Sequence, residues 1–211
     1  MPEIITPSFP NHKVNIIDYG AVGDGHTKNT DAFASAIQAC AEAGGGRVVI
    51  PPGIWLTGSI KLQSNINLHV EKGAVILFSG QFDDYPLIQT SWEGLPGVRC
   101  ISPIYGINLE NIAITGEGII DGSGDAWRPV KKFKMTERQW KILLASGGVV
   151  NKKGSIWWPS EQALNGAKLI EALSKRDDVT LEDYAAAREF LRPVMVALVQ
   201  CKNVLLDGPT F

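Results

Sequence analysis

Asn111-Ile112-Ala113-Ile114-Thr115-Gly116 is the stretch on which the fold turns, because its pattern is written twice more in a chain of 211 residues. Asn65-Ile66-Asn67-Leu68 and Asn203-Val204-Leu205-Leu206 share its order: asparagine, β-branched residue, any residue, aliphatic residue. Gly73, Gly116 and Gly208 follow eight, five and five positions after the asparagine. The offsets between copies, 46 and 92 residues, are both multiples of about 23, a period expected of solenoid coils. A coil of that length holding three short strands cannot bury its own inward face, so it must stack on neighbours at the β spacing of about 4.8 Å. The expected fold class is an all-β solenoid, a parallel β-helix. The pattern leaves a β-sandwich open as the alternative.

Outward from the repeat, the chain from Arg47 to about Asp121 reads as strand and turn: Arg47 to Ile50, Ile54 to Leu56, Ser59 to Leu62, Ile66 to Val70, Ala74 to Phe78, Ile107 to Leu109, Ile112 to Thr115 and Ile119 to Asp121. Upstream, Val14 to Ile17 is a further short strand. The spacing of Phe33, Ala36, Ile37 and Cys40 predicts a helix from Thr30, as its cap, to Ala43, stopped by Gly44-Gly45-Gly46. An open solenoid end exposes apolar rungs and strand edges, so this helix is expected to be the N-terminal capping helix.

Between Gly124 and Arg192 the period changes. Thr136 with Gln139 forms a capping-box pattern ahead of Trp140, Leu143 and Leu144; Ser160, and Thr180 with Asp183, mark two further helix starts. Strand text resumes at Val194 to Val199. Residues 1–211 are thus read as a single β-helix portion with a largely helical insertion at 125–191 on the solenoid's side; insertions into solenoids map to one face, often the binding face.

Composition narrows the function. An apolar share of 45%, charged residues at 20% and a net charge of −2 describe a globular chain and argue against a general nucleic-acid binder. No apolar run approaches the roughly 18 residues of a membrane span, and Met1, Pro2, Glu3 open no signal-peptide pattern. The charge is unevenly spread. Residues 128 to 153 hold eight basic side chains against Glu137 alone, plus seven, which leaves twelve basic and twenty-one acidic side chains elsewhere, minus nine.

Cys40, Cys100 and Cys201 are too far apart for a zinc ribbon or redox pair, and read as small buried residues. His12, His26 and His69 fit no metal-ligand spacing, and the glycine clusters match neither phosphate loop nor dinucleotide fingerprint, so neither metal nor cofactor is expected. Asp24, between Gly23 and Gly25, reads as a turn residue. Asp83-Asp84 and Asp177-Asp178 are carboxylate pairs for which solvated loop charge outweighs acid-base chemistry. Trp92, Trp127, Trp140, Trp157 and Trp158 with the basic segment suggest a saccharide surface, since indoles stack on sugar CH faces and cations pair with carboxylated sugars. The candidate substrate-binding residues are Trp127, Arg128, Lys131 and Lys132; a core and solvated-helix reading stands beside that one.

At these residues the sequence resembles glycoside hydrolase family 28, the polygalacturonase group of pectin-degrading enzymes. The resemblance rests on Ile17-Asp18-Tyr19-Gly20-Ala21-Val22-Gly23-Asp24-Gly25 with Thr27, Asn29 and Thr30; Gly45 to Pro51; Leu56-Thr57-Gly58; Asn111 to Gly116; Ile119-Ile120-Asp121-Gly122; and Arg192-Pro193 with Cys201-Lys202-Asn203-Val204. It covers most of the chain outside the insertion. It implies a right-handed parallel β-helix, secreted or periplasmic, that hydrolyses α-linked galacturonide chains by inversion without a metal. The family carries its acids in an Asn-Thr-Asp and an Asp-Asp element, followed by Gly-His-Gly and Arg-Ile-Lys, on coils after the asparagine repeat. Asn29-Thr30-Asp31 spells the first element but precedes every coil and is not carried over; Arg-Ile-Lys and Gly-His-Gly are absent. The catalytic coils are therefore expected beyond Phe211, no catalytic residue is assigned, and the 211 residues alone are expected to be inactive. The alternatives are a noncatalytic β-helix that binds acidic glycans and a pectate lyase of the same fold. No nucleic-acid or membrane partner is expected.

Overall fold

A computed structural model describes residues 6–92 and 94–211, and the side chain of Trp92 lies outside the described set, as do Met1, Pro2 and Glu3. The chain forms two compact units.

The first unit runs to Ser79 and takes up Ser102–Gly122 and Val194–Phe211. It opens with strand β1 (Lys13–Asn15), helix α1 (Thr30–Glu42), then β2 (Gly46–Ile50), β3 (Gly53–Thr57) and β4 (Ile60–Lys61). Next come β5 (Ile66–Val70) and β6 (Ala74–Phe78). The chain then leaves for the second unit through β7 (Leu87–Trp92) and β8 (Leu95–Cys100). It returns at β9 (Ile104–Ile107), β10 (Glu110–Gly116) and β11 (Ile119–Asp121).

Pairing orders these strands into three parallel sheets: β1-β2-β5-β10-β16, β3-β6-β11 and β4-β9-β15, where β15 is Val196–Val199 and β16 is Lys202–Asp207. The chain visits the sheets in rotation, one strand in each per turn. A sandwich would need antiparallel partners, and every pairing in these three sheets is parallel.

Strand alternation sends one set of side chains inward. Val48, Leu68 and Ile114 pair in register and are buried, as are Trp55, Ile76 and Ile120 in the second sheet and Ile60 with Ile104 in the third. Helix α1 lays Phe33, Ala36, Ile37 and Cys40 into the same core. Its cap is corrected. Asn29, not Thr30, is the N-cap residue, and its buried side chain accepts from Val22 N–H and donates to the carbonyls of Val22, Thr27 and Leu56. Thr30 instead receives Gly58 N–H on its hydroxyl at 2.7 Å.

The coil arithmetic also needs correction. Asn65, Asn111 and Asn203 lie on adjacent turns, not two and four turns apart, since Ile66 pairs with Ile112 and Ile112 with Val204. The turn from Gly46 to Ile66 spans 20 residues. Taking the 22 residues of Gly80–Ile101 from 46 leaves 24, and taking the 71 of Ser123–Pro193 from 92 leaves 21. Each excursion leaves after a strand of the second sheet and rejoins at a strand of the third, adding residues but no rise. Gly73 drops out of the repeat as well: Gly116 stands opposite Val70, whose carbonyl would lie 2.0 Å from a Cβ there.

The second unit comprises Gly80–Ile101 and Ser123–Pro193. It is not purely helical. Helices α2 (Glu137–Ala145) and α3 (Glu161–Leu173) accompany a three-stranded antiparallel sheet of β12 (Val130–Lys131), β13 (Val149–Val150) and β14 (Ile156–Trp158), plus the β7-β8 hairpin. Thr136 and Gln139 make the expected capping box, and Ser160 accepts Ala163 N–H at the start of α3. Thr180 and Asp183 bond each other, but the turn they open is a 3-10 helix, Glu182–Ala187. Among the described residues no helix is long and apolar enough to cross a membrane.

Candidate functional site

Four aspartates, Asp24, Asp83, Asp178 and Asp183, are tied into local structure. Asp24 accepts the N–H groups of His26 and Thr27 and the Thr27 hydroxyl, and these bonds hold its carboxyl down at about 2. Asp83 pairs with Arg188. Asp178 and Asp183 share Arg176, at 3.1 and 3.3 Å, and both carboxyls lie below their ordinary range, the first through Arg176 and the second mainly through Thr180. Asp31 sits in the first turn of α1 rather than on a coil. Among the described residues no three His, Cys, Asp or Glu side chains gather as a metal site would require. The three cysteines are free, and burial pushes the Cys100 thiol up to about 12.

Of the sequence-derived contact residues, Arg128 and Lys131 are exposed, and Lys132 is half-buried with its ammonium 3.4 Å from Glu137. Trp127 is buried, its ring met edge-on by Phe82 at 4.5 Å and Tyr85 at 5.6 Å. The tryptophan surface is corrected accordingly. Trp140 and Trp157 are interior too, the latter donating Nε1–H to the Gly147 carbonyl, and Trp158 is half-buried. The exposed aromatic ring of the basic segment is Phe133.

Sequence reasoning missed a row on the outer face of the first sheet that is polar at four of its five positions. Asn15, Val49, His69, Thr115 and Asp207 stand in register across all five strands. The Thr115 hydroxyl donates to Asn67 Oδ1 at 2.8 Å, so it accepts from His69 Nδ1–H, also at 2.8 Å. Partial burial and then the Arg47 charge lower the His69 pKa. A cavity of about 300 Å³ beside it is lined by Lys13, Asp18, Arg47, His69 and Glu71, among others. The signal was present in the sequence, because His69, Thr115 and Asp207 each stand four positions after a repeat asparagine.

A family profile described as "Rhamnogalacturonase A/epimerase, pectate lyase-like" matches residues 13–91. A probable polygalacturonase of Vitis vinifera is 37% identical over 125 residues, 55% of this chain and 26% of that protein. Among solved structures, a hyperthermoactive exopolygalacturonase from Thermotoga maritima superposes with a TM-score of 0.71 at 32% identity, covering 98% of this chain and 43% of that one. The family 28 exopolygalacturonase of Yersinia enterocolitica gives 0.61 at 27% identity, covering 95% of this chain and 34% of that one. The chain thus spans about a quarter of the length of the curated relative and less than half of either enzyme structure.

Proposed function

We propose, from the premise that this chain is polygalacturonase-like and resembles glycoside hydrolase family 28 over its N-terminal portion, that it serves in the hydrolysis of α-linked galacturonide chains of pectin, outside the cell or in the periplasm. The observation that carries the reading is the rotation of strands through three parallel sheets, in a chain 32% identical over 98% of its length to an exopolygalacturonase. In this reading the coil is a right-handed parallel β-helix whose first turn α1 closes. Glycosidic cleavage proceeds by inversion, one aspartic acid protonating the leaving oxygen while another carboxylate activates water on the opposite face of the sugar. Arg128, Lys131 and Lys132 pair with uronate carboxylates, and Trp127 anchors the turn from which Arg128 projects.

The 211 residues alone are inactive in this reading, because Asp24, Asp83, Asp178 and Asp183 already hold turns and ion pairs. The test incubates the purified chain, and separately the full gene product, with polygalacturonate and follows reducing ends and the anomer first formed. We expect none from the 211 residues and an inverted product from the full gene product. Turnover by the 211 residues would overturn the inactivity. An unsaturated, calcium-dependent product would make the protein a lyase. Binding by the full product with no turnover would favour the noncatalytic acidic-glycan binder, a reading supported by the exposed basic segment.

A further inference from the structure

The plus-seven segment folds into one local arrangement inside the second unit. Lys131 pairs with Ile156, and Lys132 N–H donates to the Ser155 carbonyl at 2.9 Å, so the 132–134 turn runs beside the 151–155 turn. That second turn is fixed from within: Asn151 Oδ1 accepts from Ser155 and Ile156 N–H, and its carbonyl accepts from Gly154 N–H. Lys152 and Lys153 stand exposed on it. Helix α2 begins three residues after Lys134, with Arg138 and Lys141 exposed one turn apart.

Phe133 lies between Lys132 and Lys134 and is 79% exposed, more than any other aromatic side chain among the described residues. The unit has a core for rings, since it buries Tyr85, Trp127, Trp140 and Trp157. A phenyl ring left in water between lysines, where the rest of the chain carries minus nine, combines a flat apolar platform with a localised positive field.

We infer that this face is a docking surface for a carboxylated polysaccharide. One sugar lies with its CH face on Phe133, and neighbouring uronates pair with Lys134, Arg138, Lys141, Lys152 and Lys153. A single ring ringed by spaced cations suits a chain with one charge per sugar. Duplex nucleic acid keeps its bases stacked and offers Phe133 no flat face, and one exposed ring is too small an apolar footprint to anchor a membrane. The inference rests on the pectin reading only for the identity of the glycan.

The experiment is affinity electrophoresis and titration calorimetry of the 211-residue protein with de-esterified polygalacturonate at low ionic strength. The unaltered protein is expected to bind, and to lose binding as salt rises. Combining Lys134→Glu, Lys152→Glu and Lys153→Glu should weaken binding by about tenfold or more. Phe133→Ala should weaken it about threefold while leaving the salt dependence unchanged. All four positions are exposed, and a thermal melt checks that each variant folds; the salt series on the unaltered protein needs no variant. No binding by the unaltered protein, equal binding of fully methyl-esterified pectin, unaltered affinity in folded variants, or tighter binding of duplex DNA or anionic vesicles would each overturn the inference. Reducing ends are measured in parallel with the full gene product. Variant-sensitive binding by the 211 residues without turnover by the full product leaves the docking face standing while the hydrolase reading falls, and turnover by the full product with variant-insensitive binding does the reverse.

Discussion

Asn65, Asn111 and Asn203 adopt left-handed backbone conformations, with φ of 63°, 55° and 52°, a region most L residues avoid and asparagine tolerates. Their side chains join: Asn111 Nδ2 donates to Asn65 Oδ1 at 3.2 Å, and Asn203 Nδ2 to Asn111 Oδ1 at 3.0 Å. The turn before Asn65 has Gly45 in that place, where a Cβ would lie 2.5 Å from the Asn65 Cβ, so the ladder starts one turn later. Two separable effects are therefore lost in Asn111→Ala, backbone tolerance and two exposed hydrogen bonds, together about 2 kcal/mol. Asn111→Gly restores the first and should cost only about 1 kcal/mol. Urea denaturation of both variants checks this; equal losses would show that backbone conformation contributes nothing. The asparagine spacing was legible in the sequence because this corner admits so few residue types. The His69–Thr115 contact followed from the same register, yet it involves ordinary strand residues with no conformational demand of their own.

At the scale of elements, the two excursions share a point of departure. The first turn passes from β3 to β4 through Gly58 and Ser59 alone, whereas the next two make their detours at that corner. The ends of the detours stay close: a Cβ on Gly122 would meet the Met195 sulfur at 2.7 Å. Deleting residues 80–101 and 123–193 together would leave Ser79 joined to Ser102 and Gly122 to Val194. Both links, at three residues, are one residue longer than the corner of the first turn. We expect the doubly deleted chain to keep its far-ultraviolet β signature and a cooperative melt, since the first unit's core includes no residue of either detour. A chain without cooperative unfolding would make the second unit essential to the coil. Deleting 123–193 alone should do worse, because it strips Trp127 from Phe82 and Tyr85, and Arg188 from Asp83. Strand text and helix caps were legible here because they depend on neighbours in sequence. The β7-β8 hairpin was not, since Pro96 and Gly97 argue against a strand and are tolerated here in a two-stranded ribbon. The number of turns was misjudged for a related reason: an offset in sequence counts residues and cannot distinguish a second turn from a detour.

For the molecule as a whole, the coil's inward ladders end unequally. Ile112 and Ile114 are 1% and 0% exposed, yet their register partners on β16, Val204 and Leu206, are 40% and 47% exposed, with Phe211 exposed nearby. Among the described residues β16 pairs with β10 alone, so its other edge offers backbone donors and acceptors beside those apolar side chains. Covering each of the two side chains is worth at most about 1.5–3 kcal/mol, and an open parallel edge templates further pairing. The 211-residue chain is therefore expected to self-associate as its concentration rises, by a contact that salt does not weaken, in contrast to polyanion docking on the basic segment. Leu206→Lys should shift the chain toward monomer by removing an apolar contact and setting a charge on the ladder. Sedimentation velocity across a concentration series, at low and high salt, reads both effects. A single monomeric boundary throughout would mean that the exposed ladder is satisfied within one chain. Association that dissolves in salt would instead trace it to the basic segment meeting the acidic remainder of a second copy.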